Sequence, residues 1–155
     1  MMYNALTELK NELDAYRPLP DALLRNLEEW FRVELTYTSN ALEGNTLSRR
    51  ETALVIEKGL TVGGKTLVEH LEAKNHAEAL DTVYELVHKK RKQISEDDIL
   101  KLHSLILKNI EDEYAGRYRP IPVRISGSAV VLPNPRKVPD LMHDYIEWLA
   151  HNTML

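Results

Sequence analysis

Apolar residues recur along most of the chain at helical spacing, three or four positions apart. The periodicity predicts a first helix that ends before Pro18, because proline lacks the amide donor that a helix interior needs. It also predicts a second helix, which Asp21 can cap and which ends near Gly44. Later helices are predicted over about 48–58, 67–90, from 95 onward and 138–151. The positions expected to face the core are Leu6, Leu9, Leu13 and Tyr16; Leu24, Leu27, Phe31, Leu35, Thr38 and Leu42; Leu67, Leu71, Leu80, Val83 and Val87; Ile99, Leu102, Leu105 and Ile106; and Leu141, Tyr145, Trp148 and Leu149.

One stretch departs from helical spacing. Residues 123–125 and 129–132 are two β-favouring runs that flank a Ser-Gly-Ser turn, which predicts a hairpin with Gly127 at a positive φ. A lone hairpin is only marginally stable, so it must pack on the helices or reach toward a ligand. The expected fold is therefore all-α, a bundle of about six helices that carries one β-hairpin.

Composition narrows the class of protein. A chain of 155 residues, 43% hydrophobic and 28% charged, is typical of one soluble globular domain. Its net charge is −4, whereas proteins that bind duplex nucleic acid usually carry a basic face, so no nucleic-acid partner is expected. The absence of cysteine excludes disulfides and thiolate zinc sites. No apolar run is long enough to cross a bilayer and the N-terminus lacks signal-peptide features, so we expect a cytoplasmic protein without a membrane partner.

Residues 59–66, GLTVGGKT, match the phosphate-binding pattern G-x-x-x-x-G-K-[ST]. That motif requires a buried strand before it. Here the preceding residues belong to a predicted helix that Ser48 and Glu51 open with a capping box. A glycine-rich connector between helices is favoured, and a P-loop nucleotide binder that uses Lys65 stays a weaker hypothesis.

No metal site or catalytic residue emerges from the residue types alone. Glu72 and His76 lie one helical turn apart, and His143 has carboxylates nearby, but a third ligand at suitable spacing is missing in both cases. The basic run at 88–92 is interpreted as a solvated helix C-terminus, where cations are favoured, in preference to a phosphate or anionic-surface site.

The end of the second predicted helix carries a more specific signal. Ser39 and Glu43 share one helix face, and Gly44 ends the helix. A carboxylate at a helix C-terminus opposes the helix dipole. Glu43 is therefore either an ordinary helix end or a residue held there to meet a cation.

The segment SNALEGNTL at 39–47 contains [ST]-x-x-x-E-[GN] and resembles the Fic family of AMP transferases, in the class with an N-terminal inhibitory helix. Over about residues 25–155, further matches follow in the family's order: Gly64-Lys65-Thr66-Leu67 with Asn75, Leu102-His103, Ala115-Gly116-Arg117-Tyr118-Arg119, the hairpin with Pro133 and Pro135, and Trp148-Leu149. The resemblance implies an N-terminal helix at 1–20. It also implies the N-terminal part of a Fic-type domain at 21–155, with an inhibitory helix at about 21–44 and a flap hairpin at about 120–133.

By the same resemblance, the family transfers AMP from ATP, with Mg²⁺, to Ser, Thr or Tyr hydroxyls of a target protein, and some members also remove it. Ser39, Glu43 and Gly44 would be inhibitory residues, with Glu43 pairing with an arginine of the catalytic loop. The flap would hold a segment of the target by strand-like pairing through Val123, Arg124, Ile125, Val130, Val131 and Leu132.

The sequence has no match to the family's catalytic loop, H-x-F-x-[DE]-G-N-[GA]-[KR]. We therefore expect a fragment that stops before that loop, the regulatory and target-docking part of such an enzyme. Alone it would be inactive and would bind neither ATP nor Mg²⁺. Surface left uncovered by missing helices would favour self-association. The alternative is a non-catalytic helical module that interacts with or regulates another protein.

Overall fold

The computed structural model describes residues 2–89 and 93–152. Within them the chain forms six α-helices and a 3₁₀ turn at Pro135–Lys137, and no strand. The helices are α1 at Met2–Asp14, α2 at Asp21–Leu42, α3 at Arg49–Lys58, α4 at Leu67–His88, α5 at Glu96–Leu107 and α6 at Val138–Asn152. The predicted helical class and each predicted helix are confirmed. None of the helices in these ranges is long and apolar enough to span a membrane.

Capping boxes open three of the helices. At the start of α3, α4 and α5 a hydroxyl side chain accepts a hydrogen bond from the backbone three residues later, and the carboxylate there accepts one in return. The pairs are Ser48 with Glu51, Thr66 with Glu69, and Ser95 with Asp98. The cap predicted at Asp21 is wrong. Pro20 precedes α2 without a side-chain cap, and Asp21 lies in the first turn, where the helix dipole favours a carboxylate.

The helix α4 is the centre of the bundle. It packs against α2, α3 and α5, and α6 packs against α5 and the 3₁₀ turn. Its most buried apolar residues are alanines, and Ala73 joins Leu47 and Val55 in a small core beside Ile56 and Val62. Among the described residues, α1 contacts no other helix. The division of the chain at residue 20 stays a prediction.

The predicted core face of α2 is wrong. Leu24, Leu27, Phe31 and Leu35 are each 36–43% exposed, and Leu42 is 87% exposed. The helix is instead held by a polar face, because Thr36 is fully buried against the His76 ring of α4 and Arg32 binds Asp81 of the same helix. Other predicted inward positions that are exposed are Leu6, Leu9, Leu13, Tyr16, Leu67, Val83, Val87, Ile106, Leu141, Tyr145 and Trp148.

The two predicted strands of the hairpin are also wrong. Residues 121–131 are exposed and form no ladder, and only the turn is present. The Ser128 N–H donates to the Ile125 carbonyl at 3.1 Å, and Gly127 has the predicted positive φ, +74°. β propensity expresses packing on a half-buried sheet surface, and among the described residues neither a strand nor a helix face covers the two runs.

Candidate functional site

Glu43 lies directly after the last residue of α2, in a turn that ends the helix sharply. The Gly44 N–H donates to the Ala41 carbonyl and the Asn45 N–H to the Asn40 carbonyl, at 3.1 and 3.0 Å, which is the Schellman pattern. Gly44 adopts a φ of +96°, a left-handed conformation that favours glycine. The predicted helix end is confirmed, and the backbone turns away immediately after Glu43.

The residues after this turn are anchored on the first two turns of α4. The Asn45 side-chain amide donates to the Glu69 carbonyl at 3.0 Å and to the Glu72 carboxylate at 2.8 Å. The Thr46 N–H and hydroxyl both donate to the Glu69 carboxylate, at 2.9 and 2.5 Å. Leu47 is buried in the core. These contacts fix the position of Glu43 relative to α4.

Lys65 belongs to the same network. Its ammonium donates to the backbone carbonyl and to the hydroxyl of Thr46, and lies 4.0 Å from the Glu51 carboxylate. The segment before it is α3, which Gly59 follows in a left-handed conformation, so the strand that a P-loop requires is absent from the described part of the chain. The P-loop hypothesis is wrong, and the connector interpretation is confirmed.

Glu69 is the acceptor on which the network converges, and sequence reasoning missed it. Hydrogen bonds from the Thr46 side chain, the backbone N–H groups of Thr66 and Thr46, and the Thr66 hydroxyl lower its pKa to about 2. Glu69 is therefore ionised at every physiological pH. The signal that could have found it was the capping box Thr66-x-x-Glu69, which also indicates the start of α4.

The three predicted inhibitory residues lie together at the C-terminal end of α2. Ser39 is partly buried one helical turn before Glu43, and Glu43 itself is exposed. Among the described residues, no hydrogen bond or ion pair engages the Glu43 carboxylate. The site therefore presents a free carboxylate at a helix C-terminus, where the helix dipole adds partial negative charge and favours a cationic partner. The inhibitory role of these residues stays a prediction.

The predicted flap residues share one loop, residues 120–133. All of them except Ile125 line, together with their neighbours, a groove of about 580 Å³. Val123, Arg124, Ile125, Val130 and Val131 are exposed, and Leu132 is partly covered. The loop has little internal hydrogen bonding, so most of its backbone donors and acceptors are open to solvent or to a partner.

The Ala115–Arg119 motif forms the base of this loop against α5. The Gly116 N–H donates to Nδ1 of His103 at 3.1 Å, and a Cβ at Gly116 would lie 3.0 Å from the Ser104 Cβ. The Tyr118 hydroxyl donates to the Glu96 carboxylate at 2.6 Å. Burial, and then Glu96, raise the pKa of Tyr118 to about 12.

The residues weighed as metal ligands are engaged elsewhere. Nδ1 of His76 lies 3.1 Å from the Thr36 hydroxyl, and the Glu72 carboxylate accepts from Asn45. His143 lies 3.4 Å from Glu147, one turn further along α6. In the part of the chain that is described, no group of three potential ligands could hold a metal ion. The basic run at 88–92 falls partly outside the described residues.

Residues 93–154 match the family model described as the Fic/DOC family. Two curated relatives are similar over longer stretches. "Protein adenylyltransferase fic-1" of Caenorhabditis elegans is 31% identical over 155 residues, which are 99% of this chain and 30% of the relative. "Protein adenylyltransferase Fic" of Nematostella vectensis is 35% identical over 113 residues, 73% of this chain and 26% of the relative. The chain thus spans less than a third of the length of these relatives.

Solved Fic structures have the same arrangement of helices. Fic-1 from C. elegans matches with a TM-score of 0.79 and 31% identity, over 98% of this chain and 44% of that one. A Fic-domain-containing signaling protein from Bacteroides thetaiotaomicron matches with a TM-score of 0.84 and 27% identity, over 96% of this chain and 58% of that one.

Proposed function

Because the chain belongs to the Fic/DOC family, we propose that it is the regulatory and target-docking part of a protein adenylyltransferase. In that reaction a base takes the proton of a target hydroxyl, the hydroxyl oxygen bonds to the α-phosphorus of ATP, the bond from that phosphorus to the oxygen of the β-phosphate breaks, and pyrophosphate leaves. Removal of AMP from the target is a second reaction that this part of the protein would also regulate.

The proposal for regulation rests on the way Glu43 is held. Its carboxylate is exposed and free of partners among the described residues, while the turn beneath it is fixed by Gly44, Asn45 and Thr46. A carboxylate in a fixed position on a rigid helix end suits recognition of a guanidinium, which binds carboxylates through paired donors. We infer that Glu43 pairs with the arginine of a catalytic loop and thereby blocks the productive pose of ATP. Ser39, on the same helix face, would help to orient this contact.

The nucleotide site is proposed to lie outside these residues. Lys65 is occupied by Thr46, the described residues offer no cluster of metal ligands, and the sequence contains no match to the family's catalytic loop. The intact enzyme is therefore proposed to hold ATP and Mg²⁺ through that loop, and this chain alone to be inactive. Titration calorimetry of the chain with ATP and Mg²⁺ should give no detectable heat of binding. Clear binding would contradict this placement of the site.

The docking loop 120–133 is proposed to receive an extended segment of the target that carries the modified hydroxyl. Its two arms have unpaired backbone groups and apolar side chains, which suits recognition by strand addition. The hairpin pairing that is absent from the free chain would then form with the target segment.

The Glu43 proposal is tested in a longer protein, in which residues 1–155 are followed by the catalytic loop and remaining helices of a Fic domain. Glu43→Gly should raise AMP transfer from ATP labelled at the α-phosphate by about tenfold or more, about 1.4 kcal/mol of barrier. Leu42→Gly, at the neighbouring residue that is 87% exposed, controls for loosening of the helix end. Equal rates for Glu43→Gly and its parent would overturn the inhibitory role.

One observation favours a second candidate, a non-catalytic helical module. The leucine stripe of α2 and the Tyr145–Trp148 pair of α6 are exposed, as on proteins that bind another helix. If the longer protein shows no AMP transfer with or without Glu43, this alternative gains support.

A further inference from the structure

We propose that Arg119 is a positioning residue that holds the docking loop, residues 120–133, in a preformed shape. The inference rests on the proposed target-docking function of that loop. Arg119 lies in the Ala115–Arg119 motif, which the proposed function leaves without a role.

The side chain of Arg119 joins the two ends of the loop. Nη1 donates to the Ile121 carbonyl at 3.0 Å, and Nη2 donates to the Pro133 carbonyl at 2.5 Å. Both acceptors are backbone atoms, and the guanidinium holds its donors in a rigid plane. The arginine therefore sets the separation of the two arms of the loop.

The base from which Arg119 extends is itself fixed to α5. A Cβ on Gly116 would lie 3.0 Å from the Ser104 Cβ and 3.2 Å from the Leu100 carbonyl oxygen, closer than ordinary van der Waals contact, and the Gly116 N–H donates to His103. Tyr118 donates to Glu96 in the first turn of α5. Because this base is rigid, the two hydrogen bonds of Arg119 also fix the position of the loop relative to the bundle.

The loop has few other restraints. The Ser128 N–H donates to the Ile125 carbonyl and the Val130 N–H donates to the Ser128 hydroxyl, both at the tip. With exposed side chains and no strand ladder, the shape of the arms depends on closure at the base. A loop that is closed before the target arrives loses less conformational entropy on binding, so closure raises affinity without adding contacts.

Amide hydrogen exchange of this chain, resolved by NMR, tests the proposal. In Arg119→Ala the Ser128 and Val130 amides should exchange about tenfold faster, although they lie nine and eleven residues from the substitution, while the amides of α4 and α5 keep their protection. Arg119→Lys should give an intermediate rate, because one ammonium on a flexible stem replaces the fork only in part. Arg117→Ala, which removes an exposed arginine two residues away, is the matched control and should change neither rate.

Unchanged exchange at Ser128 and Val130 in Arg119→Ala would overturn the proposal. So would faster exchange spread equally over α4 and α5, since Arg119 would then be a general structural residue. The measurement needs neither ATP nor a target, so its outcome is separate from that of the proposed adenylyltransferase function. In the longer protein, once Glu43→Gly has shown activity, Arg119→Ala should raise the KM for the target about tenfold with kcat kept. An unchanged KM would contradict the docking role.

Discussion

The residues that follow Glu43 at the end of α2 share one hydrogen-bond acceptor, Glu69. Its carboxylate joins the segment after Glu43 to the capping box of α4, because Thr46 and Thr66 each donate to it through backbone and side chain. Lys65 closes the network from the other side of Thr46. The placement of Glu43 therefore depends on residues that lie about twenty positions later in the chain.

The lowered pKa of Glu69 makes this network sensitive to acid. Its pKa falls from 4.5 to about 2 in the folded chain, so folding favours the ionised form. The stabilisation is complete above pH 4.5 and is lost as the pH falls toward 2. Glu69→Gln should lower the thermal midpoint at pH 7 and remove this part of the pH dependence, both followed by circular dichroism at 222 nm.

Glu8→Gln, at an exposed position of α1, is the control for the loss of one carboxylate and should leave the pH curve of the parent unchanged. Curves for Glu69→Gln and parent that stay parallel between pH 4.5 and 2 would contradict the role of Glu69.

Among the elements, the contact between α5 and the base of the docking loop depends on a missing side chain. Gly116 has a φ of +69°, and an added Cβ would also lie 3.2 Å from the Leu100 carbonyl. Gly116→Ala should lower the free energy of unfolding by about 1–3 kcal/mol, measured by urea denaturation. Gly127 has a similar positive φ but open space around it, so Gly127→Ala introduces backbone strain without crowding. It should therefore lower the free energy of unfolding by less than Gly116→Ala does. Equal losses at the two glycines would show that the close approach to α5 contributes nothing.

The positions of the helices could be predicted from sequence, because their signals are local. Capping boxes, prolines and a glycine after the last turn lie within a few residues of each helix end. The face that each helix buries could not be predicted in the same way. The apolar stripe of α2 is plain in the sequence, but α4 meets a neighbouring face of the helix through Thr36 and Arg32. Periodicity identifies a stripe, and only the tertiary neighbours decide what covers it.

In the candidate site, too, local features could be predicted from sequence and contacts between distant segments could not. The turn at Glu43 and Gly44 is local and was predicted, whereas the contacts of Lys65 and Asn45 join segments 19 to 27 residues apart and were not. The prediction of a hairpin was wrong for a related reason. β-favouring residues at 123–125 and 129–132 express a preference for a sheet surface, and the described part of the chain provides none.

At the scale of the whole molecule, the bundle buries its small and polar faces and exposes much of its apolar surface. In the described residues the fully buried side chains are mainly alanine and threonine, while leucine and aromatic residues on α2 and α6 remain exposed. Tyr145 and Trp148 stack with ring centroids 6.1 Å apart, which joins two exposed rings into one apolar patch. Exposed patches of this kind mark surfaces that bind another protein surface.

This surface predicts that the chain associates with itself. In sedimentation equilibrium at about 1 mM, where a contact of about −4 kcal/mol is half populated, the parent should contain species larger than the monomer. Leu27→Gln with Phe31→Gln removes two apolar side chains from the α2 stripe and should weaken that association about tenfold. Leu60→Gln makes the same kind of change at a leucine that is 52% exposed but lies between α3 and α4, so it should leave association unchanged. A parent that sediments as a monomer at this concentration would show that burial of the stripe does not offset the entropy lost when two copies associate.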